Sequence, residues 1–345
     1  MTERGHGMAA DIAEQPAGFA RLLEGPHADA IAEVAAEIAA RRPRNVIFVG
    51  RGTSDHAALY GAYLAEIRLG LPVASASPSA ITLYGARPDF TGTLVIGVSQ
   101  SGGSPDLTGV LSAARETGAL TLAVTNNPDS PLARAAELSV DVASGHERAV
   151  AATKTYTAEL LALLLLVEGI RAGDGRLPES ERAALAGLPA LAETVLADRT
   201  VDEIAQRYRF APHMVTTGRG YAYPTAREAA LKLMETSYVP TLAFSGADLL
   251  HGPLAMTDTD VPVIAVVGGG PGGQSMRDVL ARLSERKADV LTVGPEGRLV
   301  VPPIDERYSP LLDILPLQRL ALALALAKGE DPDAPRGLKK VTSTL

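Results

Sequence analysis

Cysteine is absent from this chain, and lysine is scarce beside arginine: six lysines stand against twenty-six arginines. Without cysteine there are no disulfides, no thiolate metal sites and no thiol nucleophile. Where charge alone is wanted the chain uses arginine, so each lysine is worth locating: Lys154, Lys232, Lys287, Lys328, Lys339 and Lys340. An amine, unlike a guanidinium, can lose a proton when desolvated and can form a Schiff base. A basic surplus is also missing. The net charge of -8 and a pI near 5.4 argue against a nucleic-acid or anionic-membrane surface. Aromatic residues make up only 4% of a chain that is 46% hydrophobic, so the cores must be aliphatic. The longest apolar run, Leu160 to Val167, lies between Glu159 and Glu168 and is too short to cross a bilayer. Met1 to Glu14 lacks the apolar stretch of a signal peptide and already contains Asp11. The expectation is a soluble cytoplasmic protein, and its 345 residues suffice for two domains.

What is present is a repeat at an offset of 168 residues. Val46-Ile47-Phe48-Val49-Gly50-Arg51-Gly52 is answered by Met214-Val215-Thr216-Thr217-Gly218-Arg219-Gly220. Leu94-Val95-Ile96-Gly97-Val98 falls on Pro262-Val263-Ile264-Ala265-Val266, and Leu122-Ala123-Val124 on Val290-Leu291-Thr292. Strand-like runs, each followed by a helical pattern, predict two copies of one α/β unit with parallel, doubly wound sheets.

The first copy reads as strand 45–49, helix 54–68, strands 72–76 and 93–98, helix 104–117, strand 120–125, a short helix near 130–136, strand 138–142 and a long apolar helix 151–171. The second reads as a helix near 190–207, strand 213–217, helix 222–236, strand 240–244, a short helix 246–250, strand 262–267, helix 273–287, strand 289–293 and helix 315–328. The expected organisation is a lead-in at 1–27, a first domain at 28–171, a linker at 172–189, a second domain at 190–328 and a tail at 329–345.

The copies differ in their loops. Gly52-Thr53-Ser54 and Ser99-Gln100-Ser101-Gly102-Gly103-Ser104 follow strands of the first copy, whereas the second has Val267-Gly268-Gly269-Gly270. In doubly wound sheets ligands sit beyond the carboxyl ends of the strands. There glycines admit an anion to the backbone N–H groups, and hydroxyls add donors. No Walker lysine follows either loop, so a nucleoside triphosphate is not indicated. With Thr153 opening a third helix, the pattern predicts a phosphorylated small molecule.

On helix 222–236, Glu228, Lys232 and Glu235 share one face. Such a row is either a solvated ladder or a carboxylate–amine set tuned for proton transfer. The apolar neighbours Ala229, Ala230, Leu231 and Leu233 favour the second. His251 precedes Gly252-Pro253, which ends the short helix abruptly. Spacing alone connects neither His251 nor Lys340 to Glu235. No metal-ligand spacing and no nucleophile elbow is present.

These residues together resemble the sugar isomerase (SIS) domain family. The likeness is to the isomerase half of glutamine:fructose-6-phosphate amidotransferase and to stand-alone SIS-type glucosamine-6-phosphate deaminases. It is carried by Gly50 to Ser54, Ser99 to Gly102, Val150 to Lys154, Gly218 to Gly220 with Tyr223-Pro224, Glu228 to Glu235, Leu250 to Ala255, Pro335 to Lys340, and Glu14-Gln15-Pro16 in the lead-in. The resemblance implies two tandem SIS domains, each a flavodoxin-like parallel sheet flanked by helices. It implies that Ser99, Gln100, Ser101 and Ser104 bind the sugar phosphate, with Gly52, Thr53, Ser54, Val150, Ala152, Thr153 and Glu228 also facing substrate. It implies Glu235 as the base moving a proton between C1 and C2, with Lys232 one turn before it. His251 would open the sugar ring from a partner subunit, and Lys340 would form a Schiff base with the open-chain ketose.

Besides Lys339, whose position often holds a smaller residue in the amidotransferase, two other departures stand out. The loop continues Ser101-Gly102-Gly103-Ser104-Pro105-Asp106 where the amidotransferase has Gly-Glu-Thr after Ser-Gln-Ser, and Ala152 stands where that enzyme usually has serine. The loop looks more like the deaminase and deglycase branch. The amidotransferase also carries a glutaminase domain with a cysteine, and neither is seen here. The expectation is therefore amine release: glucosamine 6-phosphate plus water giving fructose 6-phosphate and ammonia. The alternatives are a fructosamine-phosphate deglycase, a galactosamine-6-phosphate enzyme, a glutaminase-less synthase-like isomerase, and a non-catalytic sugar-phosphate sensor. No cofactor, metal, nucleic acid or membrane is expected. A homodimer or higher homo-oligomer with shared sites is.

Overall fold

The computed structural model describes residues 4–338 and 340, which gather into two compact units. The first helix, α1 (His6–Ala13), belongs to the C-terminal unit, as does the irregular segment 148–153. The expected lead-in at 1–27 is thus divided, its first part with one unit and its remainder with the other. Lys339 and residues 341–345 of the expected tail lie outside the described residues.

The N-terminal unit runs α2 (Gln15–Leu23), α3 (Pro26–Arg41), β1 (Asn45–Val49), α4 (Thr53–Leu64), β2 (Val73–Ser75), α5 (Pro78–Thr82), β3 (Thr93–Ser99), α6 (Pro105–Glu116), β4 (Leu120–Thr125), α7 (Pro131–Ala135), β5 (Leu138–Asp141), α8 (Lys154–Ala172) and α9 (Glu179–Ala186). Its strands pair in parallel in the order β2-β1-β3-β4-β5. Every residue of β3 and β4 is buried, which is why these strands read as unbroken apolar runs. The Leu160–Val167 run lies within α8 and is wholly buried. Expected helix 54–68 is an α-helix only to Leu64, after which Ala65–Leu69 forms a π-helical turn. The expected linker at 172–189 contains α9.

The C-terminal unit continues with α10 (Leu188–Ala197), whose first two residues fall in the other unit, then α11 (Thr200–Tyr208), β6 (Met214–Gly218), α12 (Ala222–Ser237), β7 (Thr241–Ser245), α13 (Gly246–Leu250), β8 (Pro262–Val266), α14 (Gly270–Glu285), β9 (Asp289–Gly294), β10 (Leu299–Val300) and α15 (Ser309–Ala327). Its sheet has the order β10-β9-β8-β6-β7, the same topology as the first. The repeat holds residue by residue over three strands: Val46 pairs with Val73 as Met214 pairs with Thr241, and Ile47 with Val95 as Val215 with Val263. It slips by one at the fourth. Ile96 opposes Leu122, but Ile264 opposes Leu291. The offset there is 169, and the expected match of Leu122 with Val290 is corrected accordingly. A one-residue slip reverses the faces of a strand, and it is Leu291, 3% exposed, that occupies the core.

Other helical boundaries also differ from expectation. The helix near 190–207 is broken because the Asp198 carboxylate accepts from both the N–H and the hydroxyl of Thr200. The helix expected at 315–328 starts at Ser309 and passes through Pro316. Burial of Leu311, Leu312, Ile314 and Leu315 outweighs the one hydrogen bond the proline removes. Pro310–Ala327 is long and apolar enough to cross a membrane by length and composition, a longer stretch than the 160–167 run singled out in the sequence. Here it is a core helix packed on α11 and α12, and 72% of it is buried. Finally, 151–153 are not helical. Glu147 takes the N-terminus of α8, accepting from Lys154 N–H at 3.0 Å and Thr155 N–H at 3.3 Å.

Candidate functional site

In the N-terminal sheet the chain reverses its direction of build between β1 and β3, so the loops after these two strands flank the switch point where doubly wound sheets bind ligands. Gly52, Thr53 and Ser54 follow β1, and Gln100 to Ser104 follow β3. Arg51 joins the two, its guanidinium reaching the buried Asp106 carboxylate at 2.8 and 3.0 Å. Gly102 has φ +59°, and a Cβ there would lie 2.1 Å from the Ser130 hydroxyl, so only glycine closes this loop.

The hydroxyls divide into two groups. Ser99 is buried and accepts from Gly102 N–H at 3.2 Å, and Ser54 is buried and donates to Glu159 at 2.8 Å. Both shape the loops from beneath. Ser101 and Ser104 are half-buried: Ser101 accepts from Gly103 N–H at 3.2 Å, while Ser104, at the head of α6, makes no side-chain capping bond. Ser104 is thus placed to donate to an anion at the helix start.

The corresponding glycine loop of the C-terminal unit is filled from within. Gly272 N–H donates to Glu306 at 2.8 Å, and a Cβ on Gly270 would lie 2.2 Å from the same carboxylate. Burial, opposed by that N–H and aided by Asp305, raises the Glu306 carboxyl above its ordinary value. Sequence spacing offered no sign of Glu306, which lies 34 residues beyond the glycine it meets.

On α12 the face predicted from spacing is a buried charge cluster. Lys232 and Glu228 have no exposed side-chain surface, while Glu235 keeps 23% of its own. The Lys232 Nζ lies 2.6 Å from a Glu235 oxygen and 3.3 Å from Glu228. Burial alone would push the ammonium down, but Glu228 and then Glu235 overcome it and hold it above its ordinary value. Lys232 is therefore a fixed cation that orients Glu235, not a neutral nucleophile. Glu235, partly open, is the group of the three able to meet a substrate proton.

The remaining residues predicted from the sequence are positioned as follows. His251 is exposed at the end of α13 with Nδ1 2.8 Å from the Ala247 carbonyl, and it makes no hydrogen bond to the α12 cluster. Val150 and Ala152 are half-buried between the buried Ala149, Ala151 and Thr153. The tail is anchored at both sides: Arg336 N–H donates to the Tyr238 hydroxyl at 2.7 Å, with its guanidinium 4.0 Å above that ring, and Asp333 accepts from Gly7 and Met8 N–H at 2.7 and 2.8 Å. Tyr238 caps α12 three residues after Glu235, so the tail is held at that helix end by Arg336. Lys340 itself is half-buried.

Comparison with known proteins gives a consistent result. The SIS domain matches residues 40–169 and 208–294, covering the whole first sheet and the second through β9. A glutamine–fructose-6-phosphate aminotransferase (isomerizing) from Gloeobacter violaceus is 35% identical over 97% of this chain, which spans 58% of that relative's length. The C-terminal domain of glucosamine-fructose-6-phosphate aminotransferase from Francisella tularensis superposes with a TM-score of 0.85 at 26% identity, covering 95% of this chain and 98% of the other. A solved structure from Silicibacter pomeroyi DSS-3, provisionally described as a phosphosugar isomerase, gives 0.84 at 33% identity, covering 95% and 99%. With two sheets of one topology, glycine loops at each switch point and a match over most of the chain, this protein belongs to the SIS domain family.

Proposed function

We propose that the chain is a sugar-phosphate isomerase/deaminase that converts glucosamine 6-phosphate and water to fructose 6-phosphate and ammonia. The observation that carries this reading is Lys232 fixed between Glu228 and Glu235, which leaves a partly open carboxylate with a permanently cationic neighbour. Glu235 takes the proton from C2 and returns it at C1. Ser101 and Ser104, with Gln100 and Thr53, hold the phosphate; Val150, Ala152 and Thr153 line the sugar. Lys340 supplies the amine for a Schiff base with the open-chain ketose. His251 opens the ring, contributed by the second subunit of a homodimer. Amine release is favoured by the Ser101 to Asp106 loop, whose Gly-x-Ser-Pro-Asp pattern looks like the deaminase branch.

The 35% identical relatives favour a second reading, in which the chain runs the same proton transfer toward aminosugar phosphate, as a synthase-like isomerase. The test is ammonia release from glucosamine, galactosamine and fructosamine 6-phosphates. Release from glucosamine 6-phosphate supports the first reading. Release from one of the other two alone moves the assignment to that sugar. Exchange of C1 or C2 hydrogen without ammonia release supports the synthase-like reading. Absence of all these activities refutes an enzyme role.

A further inference from the structure

We propose that Asp11 is a positioning residue for the sugar, acting through the backbone of 148–153; the proposal rests on the reading that Val150, Ala152 and Thr153 line that sugar. The segment from Val142 to Thr153 has no regular secondary structure. Its backbone polar groups therefore need partners from elsewhere. Asp11, on α1 and 0% exposed, supplies them at one end: its carboxylate accepts from Arg148 N–H at 2.7 Å, from Ala149 N–H at 3.0 Å and from the Arg148 guanidinium at 2.8 Å. Gln318, on α15 and also 0% exposed, takes the other end, donating to the Thr153 carbonyl at 3.1 Å.

Between these anchors burial alternates, with Ala149, Ala151 and Thr153 inward and Val150 and Ala152 partly open. A segment pinned at both ends, with burial alternating in this way, fixes which backbone atoms and side chains face outward. A buried carboxylate accepting two backbone N–H groups is stronger and more directional than neutral bonds would be. The anchor is itself anchored, because Asp333 holds the first turn of α1. One eight-residue helix thus ties the tail to the 148–153 segment.

The experiment compares the full chain with Asp11→Asn, which keeps the shape but removes the charge and sets an amide against N–H donors. Binding of fructose 6-phosphate and of inorganic phosphate is measured by calorimetry, and hydrogen exchange is followed over 148–153. The expected result is sugar-phosphate binding weaker by ~10-fold or more, as misplacement of positioning groups produces. Inorganic phosphate affinity should hold within about twofold, since its proposed ligands lie in the 52–54 and 99–104 loops, away from Asp11. Exchange over 148–153 should accelerate. Unchanged fructose 6-phosphate affinity, or equal loss for both ligands, overturns the proposal. Should wild type bind inorganic phosphate but no sugar phosphate, the functional reading fails, and exchange alone then judges Asp11: unaltered protection of 148–153 overturns it. Gln318→Leu removes the opposite anchor without a charge; where Asp11→Asn does not fold, the same measurements on this variant decide the question by the same outcomes.

Discussion

The ammonium of Lys232 lies 2.6 Å from the Glu235 carboxylate inside α12, with the lysine fully buried and the glutamate opening toward solvent. The pair divides by exposure: the lysine has no open side-chain surface, while the carboxylate keeps 23% of its own.

Glu235→Gln should leave phosphate affinity near wild type and reduce turnover by about 10²–10⁴-fold, the usual cost of removing a general base. Solvent hydrogen exchange at C1 or C2 of fructose 6-phosphate should vanish with it. Retained exchange would move the base elsewhere.

Lys232→Met should destabilise the protein by roughly 3–5 kcal/mol, because the buried Glu228 carboxylate loses the cation 3.3 Å from it. Adding Glu228→Gln to the same chain should recover most of that loss in urea unfolding. No recovery would mean that the lysine's packing, not its charge, is what the helix needs.

Ser101→Ala and Ser104→Ala should mainly raise KM, since they remove binding shared by ground and transition states. Ser99→Ala should instead lower stability, because its hydroxyl serves Gly102 N–H. A sulfate soaked into crystals should settle at 99–104. Density at 267–272 would contradict the role given to Glu306.

Asp313 gives a pH signature. Both its oxygens are buried, and burial, partly offset by the Ser309 hydroxyl, pushes the carboxyl up to about 7 from an ordinary value near 3.8. The folded state therefore holds a proton that the unfolded state releases. Its stabilising contribution is complete below about pH 4 and is lost as pH rises through about 7, at roughly 1.4 kcal/mol per unit across that window. Asp313→Asn should flatten this slope and raise Tm at pH 8. An unchanged slope would show that the group ionises freely.

Mixing inactive His251→Ala chains with inactive Glu235→Gln chains should restore activity to about a quarter of the sites at random exchange, given a twofold dimer. The exposure of His251 at a helix end suits a residue offered to a neighbour. If subunits exchange and no activity returns, both residues act within one chain.

The sequence by itself determined the doubled parallel sheets, the glycine-hydroxyl loops at one switch point, and the shared face of Glu228, Lys232 and Glu235. These features are local: they follow from apolar runs, from loop composition and from the period of a helix. The tertiary structure decided what lies far apart along the chain. It turned Ser54 and Ser99 inward onto Glu159 and Gly102, slipped the fourth strand of the second repeat by one residue, and placed Glu306 in the glycine loop. It also gave Asp11 to a segment 137 residues away. A buried backbone N–H must find an acceptor, but spacing does not say which carboxylate will reach it. That choice is made only when the helices pack.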